Sequence, residues 1–409
     1  MKQPKIRLKG FEGEWKSLKL NSITKRVVRK NKNMESDLAL TISSQYGLIS
    51  QKEFFNTLVV GANICNYYLI ENGEFAYNKS SSSGYPVGSV KRLDRYDKGI
   101  LSTLYILFAL KDGVSSDYIT HYFDTKLWYN EVFSRAEEGA RNHGLLNIGA
   151  DDFLDININL PSLPEQTAIA KYFTALDGLI QATAKELEKL RTVKAASLQS
   201  LFPQEGETVP KIRFKGFEGE WKRVKIGDVA RFSKGRGYSK SDIKDNGIPI
   251  ILYGRLYTNY QTIIKSVETY ATLCEGSVLS QGNEVIIPAS GETPEDIAIA
   301  SFVAQKGVIL GGDLNILTFD SEMIIPAFAA LSITGTKTHL ELSSFAQGKT
   351  VVHLHNKNIS KGHIEFPSIE EQTAIAKYFT ALDEQIQATA KRLEKLRNIK
   401  AACLDNMFV

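Results

Sequence analysis

Cysteine is scarce in this 409-residue chain: Cys65, Cys274 and Cys403 stand far apart and are odd in number. That excludes a disulfide framework and leaves no spacing for a cysteine metal site. Long apolar runs are missing too. No stretch approaches the roughly 18 apolar residues of a membrane span, and the first residues lead into charged sequence rather than the apolar core of a signal peptide. The expected location is therefore cytoplasmic, with no membrane partner. Charge of one sign is also lacking, because 50 Lys+Arg against 46 Asp+Glu give +4, which neither excludes nor proves nucleic-acid binding.

Catalytic signatures are absent as well. Gly348-Lys349-Thr350 looks like the end of a phosphate-binding loop, but the glycine required five residues earlier is Ser343. His353-Leu354-His355, with His363 beyond, has no acidic residue at ligand spacing. The Asn-Pro-Pro-Tyr or Asp-Pro-Pro-Tyr tetrapeptide that adenine methyl transfer uses does not occur, and no pair of carboxylates sits close to a lysine in the manner of a nuclease. A chain that catalyses nothing and binds no cofactor or metal is the expectation.

What is present is an internal repeat. The segment from Pro4 to Lys16 returns as Pro210 to Lys222 with one difference, Leu8 against Phe214, and Glu165 to Asp177 returns unchanged at Glu371 to Asp383. Both blocks recur 206 residues on, residue 4 at 210 and residue 165 at 371. The stretches between, about 17–160 and 223–366, share almost no sequence. Alternating apolar segments such as Val285-Ile286-Ile287 and Val308-Ile309-Leu310 predict buried strands there. Identical frames around unlike inserts imply one architecture with two different readings.

The second block predicts a long helix, since Phe173, Leu176, Ile180, Thr183, Leu187 and Leu190 step by threes and fours, as do Phe379, Leu382, Ile386, Thr389, Leu393 and Leu396. Ser162 with Glu165, and Ser368 with Glu371, have capping-box spacing. From Ser162 to about Gln199 such a helix measures about 55 Å at 1.5 Å per residue, too long to bury in one compact domain. The two helices are expected to pair along their seams. They would run antiparallel, because the polar 203–209 linker starts the second copy at the far end of the first helix. An α+β fold follows, with two globular domains separated by two long antiparallel coiled-coil helices and related by a pseudo-two-fold axis. The expected divisions are 1–160 and 210–366 for the domains, and 161–202 and 367–409 for the helices.

Basic, polar and glycine residues interleave in both inserts, the mixture that contacts phosphates and base edges. In the first, Lys25, Arg26, Arg29 and Lys30 form a run. Lys79 and Ser82 lie in a serine-rich loop ahead of Lys91 and Arg92, and Arg141-Asn142-His143 precedes a glycine. In the second, the candidates are Lys234, Arg236, Tyr238 and Lys240, then Tyr253 and Arg255, then Gln347, Lys349 and Thr350.

The Gly-Phe-Glu-Gly-Glu-Trp segment in both halves, the Leu160-Pro161 and Phe366-Pro367 steps, and the Glu-Gln-Thr-Ala-Ile-Ala helix openings resemble the specificity subunit of type I restriction-modification enzymes. The resemblance covers nearly the whole chain. It implies two target-recognition domains that read the halves of a bipartite site in double-stranded DNA, with the helices setting the spacing. It also implies partners: two modification subunits that methylate adenine with S-adenosylmethionine, docked on the helices, and restriction subunits that use ATP and Mg. A helical scaffold without DNA specificity is the alternative, and it does not explain why the inserts differ.

Overall fold

The computed structural model describes residues 3–43, 46–57, 64–136 and 146–409. The chain forms two compact units, Met1–Thr183 with Arg392–Val409, and Ala184–Lys391, called here the first and second unit.

The same frame is built in each. In the first unit, strand Lys16–Lys19 pairs antiparallel with Asn157–Leu160, Lys16 opposite Leu160. In the second, Lys222–Lys225 pairs with His363–Phe366, Lys222 opposite Phe366. A single helical turn follows each first strand, Leu20–Ile23 and Ile226–Val229. The 206-residue offset therefore persists beyond Lys16 and Lys222, where sequence identity ends. What survives is the pattern of burial: Leu20, Ile23, Ile158 and Leu160 are buried, and so are Ile226, Val229, Ile364 and Phe366. Apolar side chains removed from water at those points suffice to hold the turn, whatever lies between.

The inserts share a sheet that their sequences do not announce. In the first unit the order is Thr24–Val27, Ile106–Leu110, Phe75–Asn78, Ser89–Arg92, all antiparallel. In the second it is Ala230–Lys234, Leu314–Phe319, Glu284–Pro288, Ser301–Val303, again antiparallel, with Ile263–Ile264 added in parallel. Counted along the chain, both orders read first, fourth, second, third. The segments expected as buried strands are such strands, Glu284–Pro288 and Ile309–Leu310. Around the common sheet the units differ. The first adds the hairpin Leu40–Ser43 with Gly47–Ser50. The second adds a three-stranded sheet of Tyr270–Ala271, Ile248–Ile251 and Ile309–Leu310.

Both long helices have 39 residues, Leu163–Leu201 and Ile369–Met407. The seam runs further than the sequence pattern suggested, through Lys194, Ser197 and Leu201 in one helix and Lys400, Cys403 and Met407 in the other, all buried or half-buried. Within each unit the helices run antiparallel. Tyr172 Oη meets Cys403 Sγ at 3.3 Å and Asp177 meets Lys400 at 2.7 Å, so later residues of one helix face earlier residues of the other. In the second unit Ser197 Oγ lies 2.9 Å from Tyr378 Oη, and Lys194 pairs with Asp383. Each helix ends in a buried phenylalanine. Phe202 packs on Trp221 and Phe328, and Phe408 packs on Tyr118 and Phe173.

The capping boxes expected at the helix starts form only in part. Ser368 Oγ accepts the Glu371 N–H at 3.3 Å, but the glutamates do not reach back to the cap. Glu165 instead takes both arms of Arg7, each at 2.8 Å, and Glu371 takes both arms of Arg213, each at 2.7 Å. A guanidinium makes two parallel bonds with charge on both partners, where the cap amide offers one bond with charge on the carboxylate alone, so the fork wins. Arg7 also donates to the carbonyls of Glu12 and Gly13, and Arg213 to those of Glu218 and Gly219. This clamp explains why the opening segment and the helix start repeat together.

Candidate nucleic-acid interface

In the second unit, strand Ala230–Lys234 finishes at the sheet end where Leu314–Phe319 begins and Glu284–Pro288 finishes. Three connections leave that end together. Gly235 donates to Leu314 O at 2.9 Å, Arg236 N–H to Leu310 O at 3.1 Å, and Gly312 N–H to Gly237 O at 2.6 Å. The fit demands glycine, because a Cβ on Gly235 would lie 1.8 Å from Gly311 O.

Ser290 joins the remaining pieces. Its carbonyl accepts from Tyr257 Oη at 2.7 Å, and its hydroxyl lies 3.2 Å from His353 Nδ1 and donates to Asp313 at 3.4 Å. Strand Ser290–Gly291 pairs with Val352–His353. Reciprocal backbone bonds between Gln347 and His353 close a loop that carries Gly348, Lys349 and Thr350 at its tip.

The three segments flagged in the second insert thus meet at one end of one sheet. Lys234, Arg236, Lys240 and Lys349 are exposed and, among the described residues, form no ion pair. Gln347 and Thr350 are exposed beside them. Tyr253 packs edge-on against Tyr257. Tyr238 is tied down, its hydroxyl 2.6 Å from Ser277 Oγ and donating to Thr272 O at 3.0 Å. Arg255 is half-buried and donates to Gln261 at 2.7 Å, and burial lowers its pKa. Unpaired cations beside hydrogen-bonding and aromatic side chains suit phosphate and base-edge contact.

The first unit treats its candidates differently. Lys25 is exposed without an ion pair among the described residues, and Arg26 reaches only to exposed Asp151 at 3.6 Å. Lys79 Nζ donates to Ile148 O at 3.2 Å, and Ser82 forms a tight turn with Tyr85. The others are engaged internally. Arg29 pairs with Glu71 and Glu74. Lys30 lies over the Tyr68 ring at 4.1 Å and donates to Asn66 O. Lys91 pairs with Asp124 at 2.8 Å, and Arg92 with Asp94 at 2.6 Å and Asp117 at 2.7 Å. Arg92 keeps a raised pKa against the opposing pull of burial because those carboxylates outweigh it. Arg141, Asn142 and His143 lie outside the described residues.

Sequence reasoning missed Ser290 and Asp313, which carry no local signal. It also missed Gln166 and Gln372, although their place in the repeat marked them. His353 and His355 stack with ring centroids 6.0 Å apart. Among the described residues, no three His, Cys, Asp or Glu side chains are grouped to hold a metal, and no helix is long and apolar enough to cross a membrane.

A family model described as the type I restriction modification DNA specificity domain matches residues 12–192 and again 218–398. The chain is 24% identical over 314 residues to the type I restriction enzyme MjaVIII specificity subunit of Methanocaldococcus jannaschii, spanning 74% of this chain and 72% of that protein. Among solved structures it is similar to the type I restriction-modification system S subunit from M. genitalium, with TM-score 0.61 and 15% identity over 100% of this chain and 99% of that one. It is also similar to a chain from a structural study of complex assembly and conformational transition of the type I R-M system, with TM-score 0.51 and 16% identity over 96% and 97%.

Proposed function

The chain belongs to the type I restriction-modification DNA specificity family, with one copy of the family domain in each half, and from that premise we propose that it is the sequence-reading, non-catalytic subunit of a DNA-modifying assembly. Each insert reads one part of a bipartite site in double-stranded DNA. The long helices dock two modification subunits, which methylate adenine with S-adenosylmethionine, and restriction subunits that use ATP and Mg complete the assembly. The chain itself binds none of these cofactors. Both long helices begin in one unit and end in the other, which supports a role for helix length in setting the number of unspecified base pairs.

The observation that carries this reading is the meeting of three unlike segments at one sheet end of the second unit, with four cations left without an ion pair among the described residues. A cation without a carboxylate partner is free to neutralise phosphate, and an arginine among them is free to make a bidentate contact to guanine. Lys234, Lys240 and Lys349 would hold the backbone, while Arg236, Gln347 and Tyr253 would face base edges. In the first unit, Lys25 and Arg26 with the Lys79–Ser82 loop take the same role.

The test is to co-express the chain with modification subunits and map methylated adenines across a genome. A bipartite motif is expected, and Arg236→Ala should relax one half of it only. Absence of any motif, together with absence of DNA binding by the assembled complex, would sink the proposal.

A further inference from the structure

The repeated helices contain charged groups where a seam needs none. Lys194 and Lys400 occupy seam positions, each facing an aspartate of the opposite helix: Lys400 with Asp177 in the first unit, Lys194 with Asp383 in the second. All four side chains are between 20% and 31% exposed. Partly buried ion pairs of this kind are often replaceable by apolar residues at no loss of stability. Stability alone therefore gives no reason to keep the same pair in both copies.

Each pair touches the insert of its own unit, through unrelated groups. In the first unit Asp124, on the turn after helix Ser116–Tyr122, lies 3.6 Å from Lys400 and is bridged to Lys91. In the second, Thr262, just ahead of strand Ile263–Ile264, donates to Asp383 at 2.8 Å and lies 3.5 Å from Lys194. A lysine–aspartate pair offers both a donor and an acceptor, so a carboxylate or a hydroxyl can plug into it.

The glutamine after the clamp glutamate makes a second repeated contact. Gln166 Oε1 accepts the N–H of Ser115, the residue that caps helix Ser116–Tyr122, at 3.0 Å. Gln372 Oε1 accepts the N–H of Ile325, which precedes helix Pro326–Gly335, at 2.9 Å. Both glutamines are anchored by donating to the proline carbonyls at the helix starts, Pro161 at 2.9 Å and Pro367 at 3.0 Å. A backbone amide is available from any insert whatever its sequence.

We propose that these repeated side chains are sockets: Gln166 and Gln372 receive a backbone amide at the start of an insert helix, and the pairs Lys400–Asp177 and Lys194–Asp383 receive one polar group, so that unlike inserts are held in a defined orientation for reading. They are positioning residues, and the proposal rests on the DNA-reading function above. The frame can then stay constant while inserts diverge, because an amide and one hydroxyl or carboxylate are groups that unlike inserts can each supply.

The test uses the full chain assembled with modification subunits. Thr262→Val removes the plug of the second unit and leaves the Lys194–Asp383 pair intact. Methylation at near-cognate sites altered in the half read by the second unit should rise about tenfold relative to the cognate site, the scale of one lost hydrogen bond to a charged group. The other half should keep its selectivity, and Thr262→Ser should behave as wild type in both halves. Amide exchange should accelerate in strands Ile263–Ile264 and Ser301–Val303 of Thr262→Val and nowhere in the first unit. Equal behaviour of the valine and serine variants, or relaxation of both halves together, overturns the sockets. A wild-type complex without any bipartite motif overturns the DNA-reading function instead, and unchanged exchange in Thr262→Val would still overturn the sockets independently.

Discussion

The second insert leaves Lys234, Arg236, Lys240 and Lys349 exposed and unpaired among the described residues, whereas the first engages Arg29, Lys91 and Arg92 with its own carboxylates. In sequence the two sets look alike, basic residues interleaved with glycine, serine and asparagine. The difference is where the acids fold to. Asp94 stands two residues from Arg92, but Glu74 reaches Arg29 across 45 residues and Asp124 reaches Lys91 across 33, so no local window reveals that Arg29 and Lys91 are occupied. A basic run marks a nucleic-acid surface only when the fold leaves it without carboxylate neighbours.

The largest effects are expected where the two units do not differ. Replacing Arg7 with Met strands Glu165, which is 2% exposed, and should cost about 3 kcal/mol, because an uncompensated buried carboxylate must be desolvated or protonated. Arg213→Met should do the same through Glu371. Amide exchange resolved by unit would show each loss confined to its own half. Unequal losses would mean that the clamps are not equivalent and that the frame is less symmetric than its hydrogen bonds.

Much of the frame was legible in the sequence because it is written twice: Arg7 with Glu165 and Arg213 with Glu371 stand 158 residues apart in both copies. The sequence shows that these residues recur but not that they touch, and by spacing alone Glu165 reads as a capping-box residue. The common four-stranded sheet was not legible. Strand Phe75–Asn78 and strand Glu284–Pro288 share only burial and β propensity, and their partners come from up to 34 residues away. The hub at Ser290 was equally hidden, since it depends on Tyr257, Asp313 and His353 converging from three separate segments.

The contrast between the inserts can be sharpened by alanine substitution. In the second unit, Arg236→Ala and Lys349→Ala should leave stability within about 0.5 kcal/mol, since neither side chain has an ion pair among the described residues. Lys349→Ala should lower the slope of log affinity against log salt by about 0.9, the contribution of one neutralised phosphate, whereas Arg236→Ala should lower discrimination at one base pair by about 1–3 kcal/mol. In the first unit, Lys91→Ala leaves Asp124 with Lys400 as its remaining cation and should cost about 1–2 kcal/mol in a urea titration. Finding Lys91→Ala stable but deficient in DNA binding would reverse the assignment of the two sets.

The smallest expected difference is in acid. His121 is buried in the first unit, with Nε2 3.3 Å from Thr174 Oγ1 and Nδ1 3.9 Å from Asp177, and the second unit has Ala327 at the position 206 residues on. Burial lowers the His121 pKa, and Lys400 assists; Asp124, Asp177 and Asp117 oppose without reversing the shift. With the folded value below 6.5, the unfolded chain takes up the proton first. The stabilising contribution is complete above pH 6.5 and declines as pH falls through the lowered folded value. Asp124 acts in the same direction at lower pH. Burial alone would raise its pKa, but Lys91 and Lys400 bring it below 3.8, so its contribution fades as pH falls from there. Amide exchange in the first unit should therefore accelerate relative to the second as pH falls below 6.5, and His121→Gln should remove that difference. A difference that persists in His121→Gln would assign the acid sensitivity to another group.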